Sequence, residues 1–459
     1  MSGKALLILV LGFTLIFLVV GYFWSDMATR STENHVSYYK STIAHNIAVS
    51  GANIGLQKII YNYQSKGKLL NGNLVTEIFE HGVMTVDFDS SGTIKPLTST
   101  GTFMGTNQIV KVKLMEDQTS LAKYAWFIPS VSTGSVNRPW ITGDTVWGGF
   151  HSNQFLVVEG DPVFMGKVTT LKGIKDQAKL PYVSNPQFFG GYQDGIDVSW
   201  TSSMHYPDYA ALANPVYSSL VGKDLWLTFN STGTVTYRTR TGNGGTDPGQ
   251  DSTKYGAPVT VDLTTFAGPN GVIYNKNANI YISGTLSGKV TIVSEGSSGV
   301  GSGNVYFEGD MVYTEPPMIP YINSDGLKDY KVNPLALDSN GDPKDLLGII
   351  ATNNVIVSTS GNLGGYTNNV ADKNINVDGS IFCNSGGFEA DNLSSLPPLE
   401  NINFQGSMTA GMEDMVAQFS GNTLIHGYNR HVVFDTRLNN GAPQWFPYLD
   451  YYKVVSWLE

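Results

Sequence analysis

Asn279 to Leu286 reads NIYISGTL, and the pattern returns as NVYFEGDM at 304–311, NINVDGSI at 374–381 and NINFQGSM at 401–408. Each copy runs Asn, apolar, any, apolar, any, Gly, any, apolar. The fixed positions are Asn279 and Gly284, Asn304 and Gly309, Asn374 and Gly379, Asn401 and Gly406. Partial copies are LVVEGDP at 156–162 and NVIV at 354–357. Starts at 279 and 304 are 25 residues apart, starts at 374 and 401 are 27 apart, and 304 to 354 is 50, two such periods. Alternating apolar residues point to one side of a strand. Glycine permits a tight turn after it, and asparagine tolerates left-handed backbone and stacks in ladders. A rung of this length cannot bury its own inner face and must stack on its neighbours. The expected fold is therefore a parallel β-helix, a β-solenoid, over residues 261–459, beginning earlier at 144–175. A β-sandwich with Gly-rich turns is the alternative.

Working outward, residues 176–260 interrupt the pattern and read as an insertion. They carry aromatic loops (NPQFFGGYQDG, MHYPDY), a hairpin (LWLTFNSTGTVTYRTR) and a Gly-rich polar loop (TGNGGTDPGQDSTKYG). The aromatic loops are either a binding surface or the insertion's own core. Residues 65–143 read as an antiparallel meander: VMTVDFDSSGTI alternates and turns at SSG, and TSTGTFMGTNQIVKVKLM is a hairpin ending in a strand of period two.

The chain starts differently. Ala5 to Trp24 is a run of 20 residues without a charge. At 1.5 Å per residue it spans roughly 30 Å, the thickness of a bilayer's apolar core. It is longer than a secretory signal's apolar region, and WSDMATRS after it is a poor cleavage site. Lys4 before the run favours a cytoplasmic N-terminus. The first proline is Pro96, and Val36, Ile43, Ile47, Ile54 and Tyr61 form a stripe of helical period. One helix over residues 1–64, roughly 90 Å long, is the expectation.

Within that helix, GKALLILVL resembles the start of PilX-like minor pilins and of K-type pseudopilins, and ANIGL (Ala52, Gly55 and Leu56 among its residues) is similar to a box later in the same helix of that family. The resemblance implies processing after Gly3, a mature chain beginning at Lys4, and helix packing in a membrane or filament. GFTLIF at 12–17 looks like a second processing site, but cutting after Gly12 leaves only 12 apolar residues, Phe13 to Trp24, too few to span. In either register the fifth mature residue, Ile8 or Phe17, is not the glutamate of major pilins. That glutamate neutralises a neighbouring subunit's amine in an apolar filament core. A tip subunit has no neighbour above it and can lack the carboxylate. A plain membrane anchor lacks it too. STG-x-F-x-G and the closing GYNRHVVFDTRLNNGAPQWFPYLDYYKVVSWLE are also similar to pilin-like proteins that bear a solenoid.

The chain has 459 residues, a net charge of −10, 14% charged residues and one cysteine, Cys383. An acidic, charge-poor chain is not built for general phosphate-backbone binding. Cys383 has no partner for a disulfide and is expected near the core. His151, Ser152 and Asn153 invite a catalytic reading, but no acidic partner or nucleophile elbow accompanies them, so a structural turn is expected. DSNGDPKD at 338–345 offers Asp338, Asn340, Asp342 and Asp345, but Gly and Pro are misplaced for an EF-hand, and a solvated turn is the expectation over calcium. EGSSGVGSGN at 295–304 lacks a P-loop's Lys-Ser/Thr and fits a loop between rungs. No Cys/His spacing suggests zinc. The reading expects no catalytic site, no metal and no cofactor. It expects a single-pass inner-membrane protein whose bulk is periplasmic or, in a filament, extracellular. Its partners would be other pilins or pseudopilins, the inner-membrane assembly machinery, and a surface polymer or DNA. The rivals are a membrane-anchored β-helix carbohydrate-active enzyme and a plain single-pass surface protein.

Overall fold

The computed structural model describes residues 3–66, 68–129, 138–177, 183–198, 204–240, 256–297, 301–358, 374–412, 415–420 and 423–458. The Gly-rich loop 241–255 and part of 295–304 lie outside them. The chain is mainly β with one long N-terminal helix. It divides into two compact units, Met1–Gln118 with Asp450–Glu459, and Thr119–Trp200 with Met204–Leu449.

In the first unit, helix α1 runs unbroken over Gly3–Lys66 because no proline interrupts it. The antiparallel strands β1 (Gly72–Phe79), β2 (Gly82–Phe88), β3 (Ile94–Phe103) and β4 (Thr106–Ser120) follow as a meander. The closing strand Tyr448–Leu458 adds beside β4. Lys453 pairs with Asp117 there at 2.5 Å. Alternation along β2 puts Met84, Val86 and Phe88 into the core, as period two demands.

The helix docks on a face that takes in only part of the expected stripe: Ile47 is fully buried and Ile43 packs against the same core. Val36, Ile54 and Tyr61 are exposed, while Ala44, Ile47, Ala48, Ala52, Leu56 and Ile59 are buried. Small residues set the contact because the sheet comes very close. A Cβ on Gly55 would lie 2.7 Å from Val86 Cγ1 and 2.8 Å from Leu97 Cδ1. A Cβ on Gly101 of β3 would lie 2.1 Å from the Ala44 carbonyl oxygen.

The second unit is a stack of parallel rungs. One core column reads Val377, Phe404, Val432, Val146, Phe164 and Phe188, each paired in parallel with the next. A second column runs Val272, Thr291, Gly348, Ser380 and Ser407. A third runs Leu225, Ile280, Val305, Val355 and Phe388. Inward positions of the four repeats are sealed: Ile280, Ile282, Val305, Phe307, Ile375, Val377, Ile402 and Phe404 are buried.

The order of rungs is permuted relative to the chain. The strand Trp126–Ile128 pairs in parallel with Met408 and Thr409, and Thr145–Trp147 pairs with His431–Val433. From this seam the rungs continue to Gln187–Phe188 and Tyr192–Gln193 at one end. The chain then returns to the other end, where Leu225–Asn230 starts the climb back to the seam.

These pairings redraw the expected boundaries. The meander ends with β4, and the strands Trp126–Ile128 and Trp140–Ile141 belong to the stacked unit. Within the expected insertion 176–260, Gln187–Phe188, Tyr192–Gln193 and Leu225–Asn230 are rungs of the stack itself, at its two ends. Two-residue strands such as Gln187–Phe188 are too short to leave a periodic signal. The hairpin Leu225–Arg240 is present, with Leu225 opposite Thr239. The closing segment from Asp450 leaves the stacked unit and joins the first.

Candidate functional site

Gly3, Lys4, Ile8 and Phe17 lie on the exposed part of α1, where no described residue covers the apolar run. Among the described residues α1 is the one helix long and apolar enough to cross a membrane. Ala52, Gly55 and Leu56 sit elsewhere on it. Ala52 is fully buried, and Gly55 fits only because it has no side chain, so these residues serve docking on the sheet of their own unit.

In the stack the repeat asparagines form a ladder. Asn279 Oδ1 accepts the backbone N–H of Asn304 at 3.1 Å, Asn304 Oδ1 accepts that of Asn354 at 2.9 Å, and Asn354 Oδ1 accepts that of Gly387 at 3.0 Å. Asp224 starts the series by accepting from Asn279 N at 2.9 Å. Asn374 accepts from Asn401 N at 3.0 Å in the same manner. None of the four asparagines has left-handed backbone, so amide capping, and not conformational tolerance, accounts for them. The repeat glycines lie inside their strands instead of opening a following turn. A Cβ on Gly406 would lie 1.7 Å from the Gly379 carbonyl oxygen on the next rung, and one on Gly284 would lie 2.2 Å from that of Phe229. Gly309 is buried within Val305–Tyr313.

A second file runs Asp310, Asn376, Asn403 and His431. Asn376 donates to Asp310 at 2.9 Å, Asn403 donates to Asn376 at 2.9 Å, and His431 Nδ1 lies 3.1 Å from Asn403 Oδ1. Burial first, and then the charge of Lys328, holds His431 down at about 4, so its ring is neutral near pH 7.

His151, Ser152 and Asn153 are buried. His151 Nε2 lies 2.7 Å from Asn153 Oδ1, and Nδ1 lies 2.7 Å from Thr169 Oγ1. Asn153 donates to the carbonyls of Pro129 and Val198. The group ties chain segments together, and burial lowers the histidine's pKa. The Asp338 carboxylate accepts from the backbone of Asn340 at 2.8 Å and Asp342 at 3.0 Å, so it closes its own loop. Asp345 is buried and accepts from Gly288 N and from Thr314. Among the described residues no His, Cys, Asp and Glu group could hold a metal ion. Cys383 is fully buried.

The fold assembles one cluster that the linear reading misses. Trp226, Tyr281 and Tyr306 stack outside the main core, with ring centroids 4.3 Å and 4.7 Å apart and planes within 6° and 13°. Burial first, and then the charges of Asp391, Glu389, Asp224 and Glu308, push the Tyr306 hydroxyl up to about 12. Those four carboxylates are scattered in sequence, and rung stacking brings their charges within reach of Tyr306. Trp226, Tyr281 and Tyr306 stand at equivalent strand positions, which was the available signal.

No protein-family model matches the chain, and no curated protein matches it. Among solved structures it is similar to the competence-associated pilin ComZ from Thermus thermophilus, at 11% identity and a TM-score of 0.38, over 91% of this chain and 97% of that one. A score of that size marks an arrangement too loosely shared to assign a role.

Proposed function

We propose that this chain is a minor-pilin-like structural subunit of a type IV pilus or pseudopilus, placed at the tip, whose stacked unit is a β-solenoid presented for adhesion or ligand contact. One observation carries the reading. A single continuous helix has a wholly exposed apolar N-terminal part and a C-terminal part buried on an antiparallel meander. An apolar run left bare in water is unfavourable, so it needs lipid or other apolar helices around it. Ile8, the fifth residue of a chain starting at Lys4, stands where an acidic residue is expected and supports a position with no subunit above. In this reading the N-terminus is cytoplasmic and the partners are other pilins and the inner-membrane assembly machinery. The second unit binds, without catalysis, a surface polymer or DNA.

The test is the mass of the N-terminal peptide from natively produced protein, with a search for the chain in sheared filament fractions. A start at Lys4, with the protein recovered in filaments, is the expected result. An uncut N-terminus and absence from filaments leave a plain anchored surface protein and overturn the pilus assignment.

A second reading starts from the acidic residues near Tyr306: the charges of Asp391, Glu389, Asp224 and Glu308 all act on its hydroxyl, and a polysaccharide-cleaving β-helix would draw its carboxylate pair from such a group. If it holds, Glu308→Gln and Glu389→Gln each abolish an activity on polysaccharide. If the full chain cleaves no acidic or neutral polysaccharide, this reading fails.

A further inference from the structure

At the end of the stack opposite Tyr192–Gln193, the segment 209–224 caps the first rung and leaves a cavity of about 430 Å³. Its walls are mostly apolar, with Asn214 and Ser218 the polar side chains among them. Ala211 and Ala213 come from the cap, Tyr217 and Phe266 contribute rings, and Val272 and Tyr274 come from the first strand of one column. Phe266 and Val272 are buried, and the Tyr217 and Phe266 ring centroids are 4.5 Å apart.

Polar clips tie the cap to the rung at a fixed spacing. Asn214 Nδ2 donates to the Thr265 carbonyl at 2.7 Å, and Asn270 Nδ2 donates to the Leu212 carbonyl at 2.9 Å. Asn275 Nδ2 donates to the Lys223 carbonyl at 2.8 Å, while its Oδ1 accepts from Gly222 N at 2.9 Å. Tyr274 directs its hydroxyl to Glu295 at 2.7 Å. The cavity is open to solvent along the exposed Ala211 and Ser218, and the clips fix the cap's position over the rung. The same clips consume the rim's amides, so the interior favours a ligand without charge.

We propose that this cap cavity is a preformed binding site for one small uncharged apolar molecule, a ring or short chain of roughly a dozen heavy atoms, as suits a pocket of this size. Small alanines on one wall and rings on the other make a slot in which a flat or extended group stacks on Tyr217 and Phe266. The assignment is independent of the pilus reading, because it uses no residue of α1.

The test is photolabelling of the full chain in lipid nanodiscs with a neutral decyl diazirine, followed by peptide mapping. Labelling of residues 3–27 by probe dissolved in the lipid serves as the internal control. The expected result is saturable labelling of peptides 209–225 and 263–274, at least fivefold above other peptides of the stacked unit. Ala213→Trp, which fills the slot, is expected to reduce it at least fivefold while label on 3–27 stays constant. If Ala213→Trp loses the protease resistance of the stack, Ser218→Phe from the same rim is read instead. Labelling no higher than elsewhere in the unit, or unchanged by a folded slot-filling variant, overturns the proposal.

Discussion

Arg430 and Asp144 are joined by three hydrogen bonds where the two halves of the permuted stack meet. The Arg430 backbone N–H donates to Asp144 Oδ1 at 2.7 Å, and the guanidinium donates to Oδ2 from Nε at 3.1 Å and from Nη2 at 2.7 Å. Nη2 also donates to the Pro139 carbonyl at 2.7 Å, and the guanidinium carbon lies 3.9 Å from the Trp140 ring centroid. Both side chains are buried. Asp144 Oδ2 further accepts from Ile141 N at 3.0 Å. The pair therefore fixes a seam between residues 286 apart in sequence.

Asp144→Ala strands a buried guanidinium and is expected to cost about 3–5 kcal/mol in the stacked unit. The double variant Asp144→Leu with Arg430→Met is expected to recover most of that. Thermal melting followed by limited proteolysis at the seam checks both. A double variant no more stable than the single one contradicts the account.

Asn304→Ala removes the acceptor for the half-buried Asn354 backbone N–H. The expected loss is about 1–3 kcal/mol. Hydrogen exchange of the Asn354 amide is expected to accelerate, with amides of the distant rungs at 163–170 unchanged. Uniform acceleration across the unit contradicts a local role for the ladder.

Asp378 is buried and accepts from Tyr313 N at 2.9 Å. Burial, and then the charge of Asp435, raises its carboxyl to about 7, although Tyr313 N–H and the Arg437 charge oppose this. The folded chain holds this proton more tightly than the unfolded chain. Stability is thus greatest below the unfolded value near 4 and falls as pH rises toward 7. Asp378→Asn is expected to flatten stability between pH 4 and pH 7, and to gain up to about 4 kcal/mol at pH 8 by the energy per pKa unit. Melting curves across that range decide it, and an unchanged pH slope in the variant rejects the assignment.

Gly55→Ala raises helix propensity but places a methyl against Val86 and Leu97. Overpacking is expected to win, with a net loss of about 1–3 kcal/mol in the first unit. Proteolysis within residues 40–63 is the readout, and a variant more resistant than the parent shows that the helix can shift to make room.

How much was legible in advance differs by element. Alternation in the four repeats foretold the sealed positions Ile282, Phe307, Val377 and Phe404, because a strand's period is local. The uninterrupted helix was equally plain, since helix continuity depends on the absence of proline and on nearby residues. The docking face was legible only in part: Ile43 and Ile47 of the expected stripe do pack against the sheet. Ile54 and Tyr61 look like core, but the sheet approaches the small residues Ala48, Ala52 and Gly55 instead. The carboxylates around Tyr306 left no sequence trace, being Asp224, Glu308, Glu389 and Asp391 with no common spacing.

The sequence by itself determined the long N-terminal helix, the bare apolar run, the strands of the repeats and which of their residues face inward. These follow from periodicity and from where proline is missing. Only the tertiary structure decided that the rungs are stacked in permuted order, with Trp126–Ile128 and Thr145–Trp147 placed on the strands around 408 and 432, and that 450–458 returns to the meander. Parallel pairing joins residues hundreds apart through backbone groups that every residue carries, so side-chain order holds no record of it. The Arg430–Asp144 seam and the clipped cap cavity exist only once those distant rungs have met.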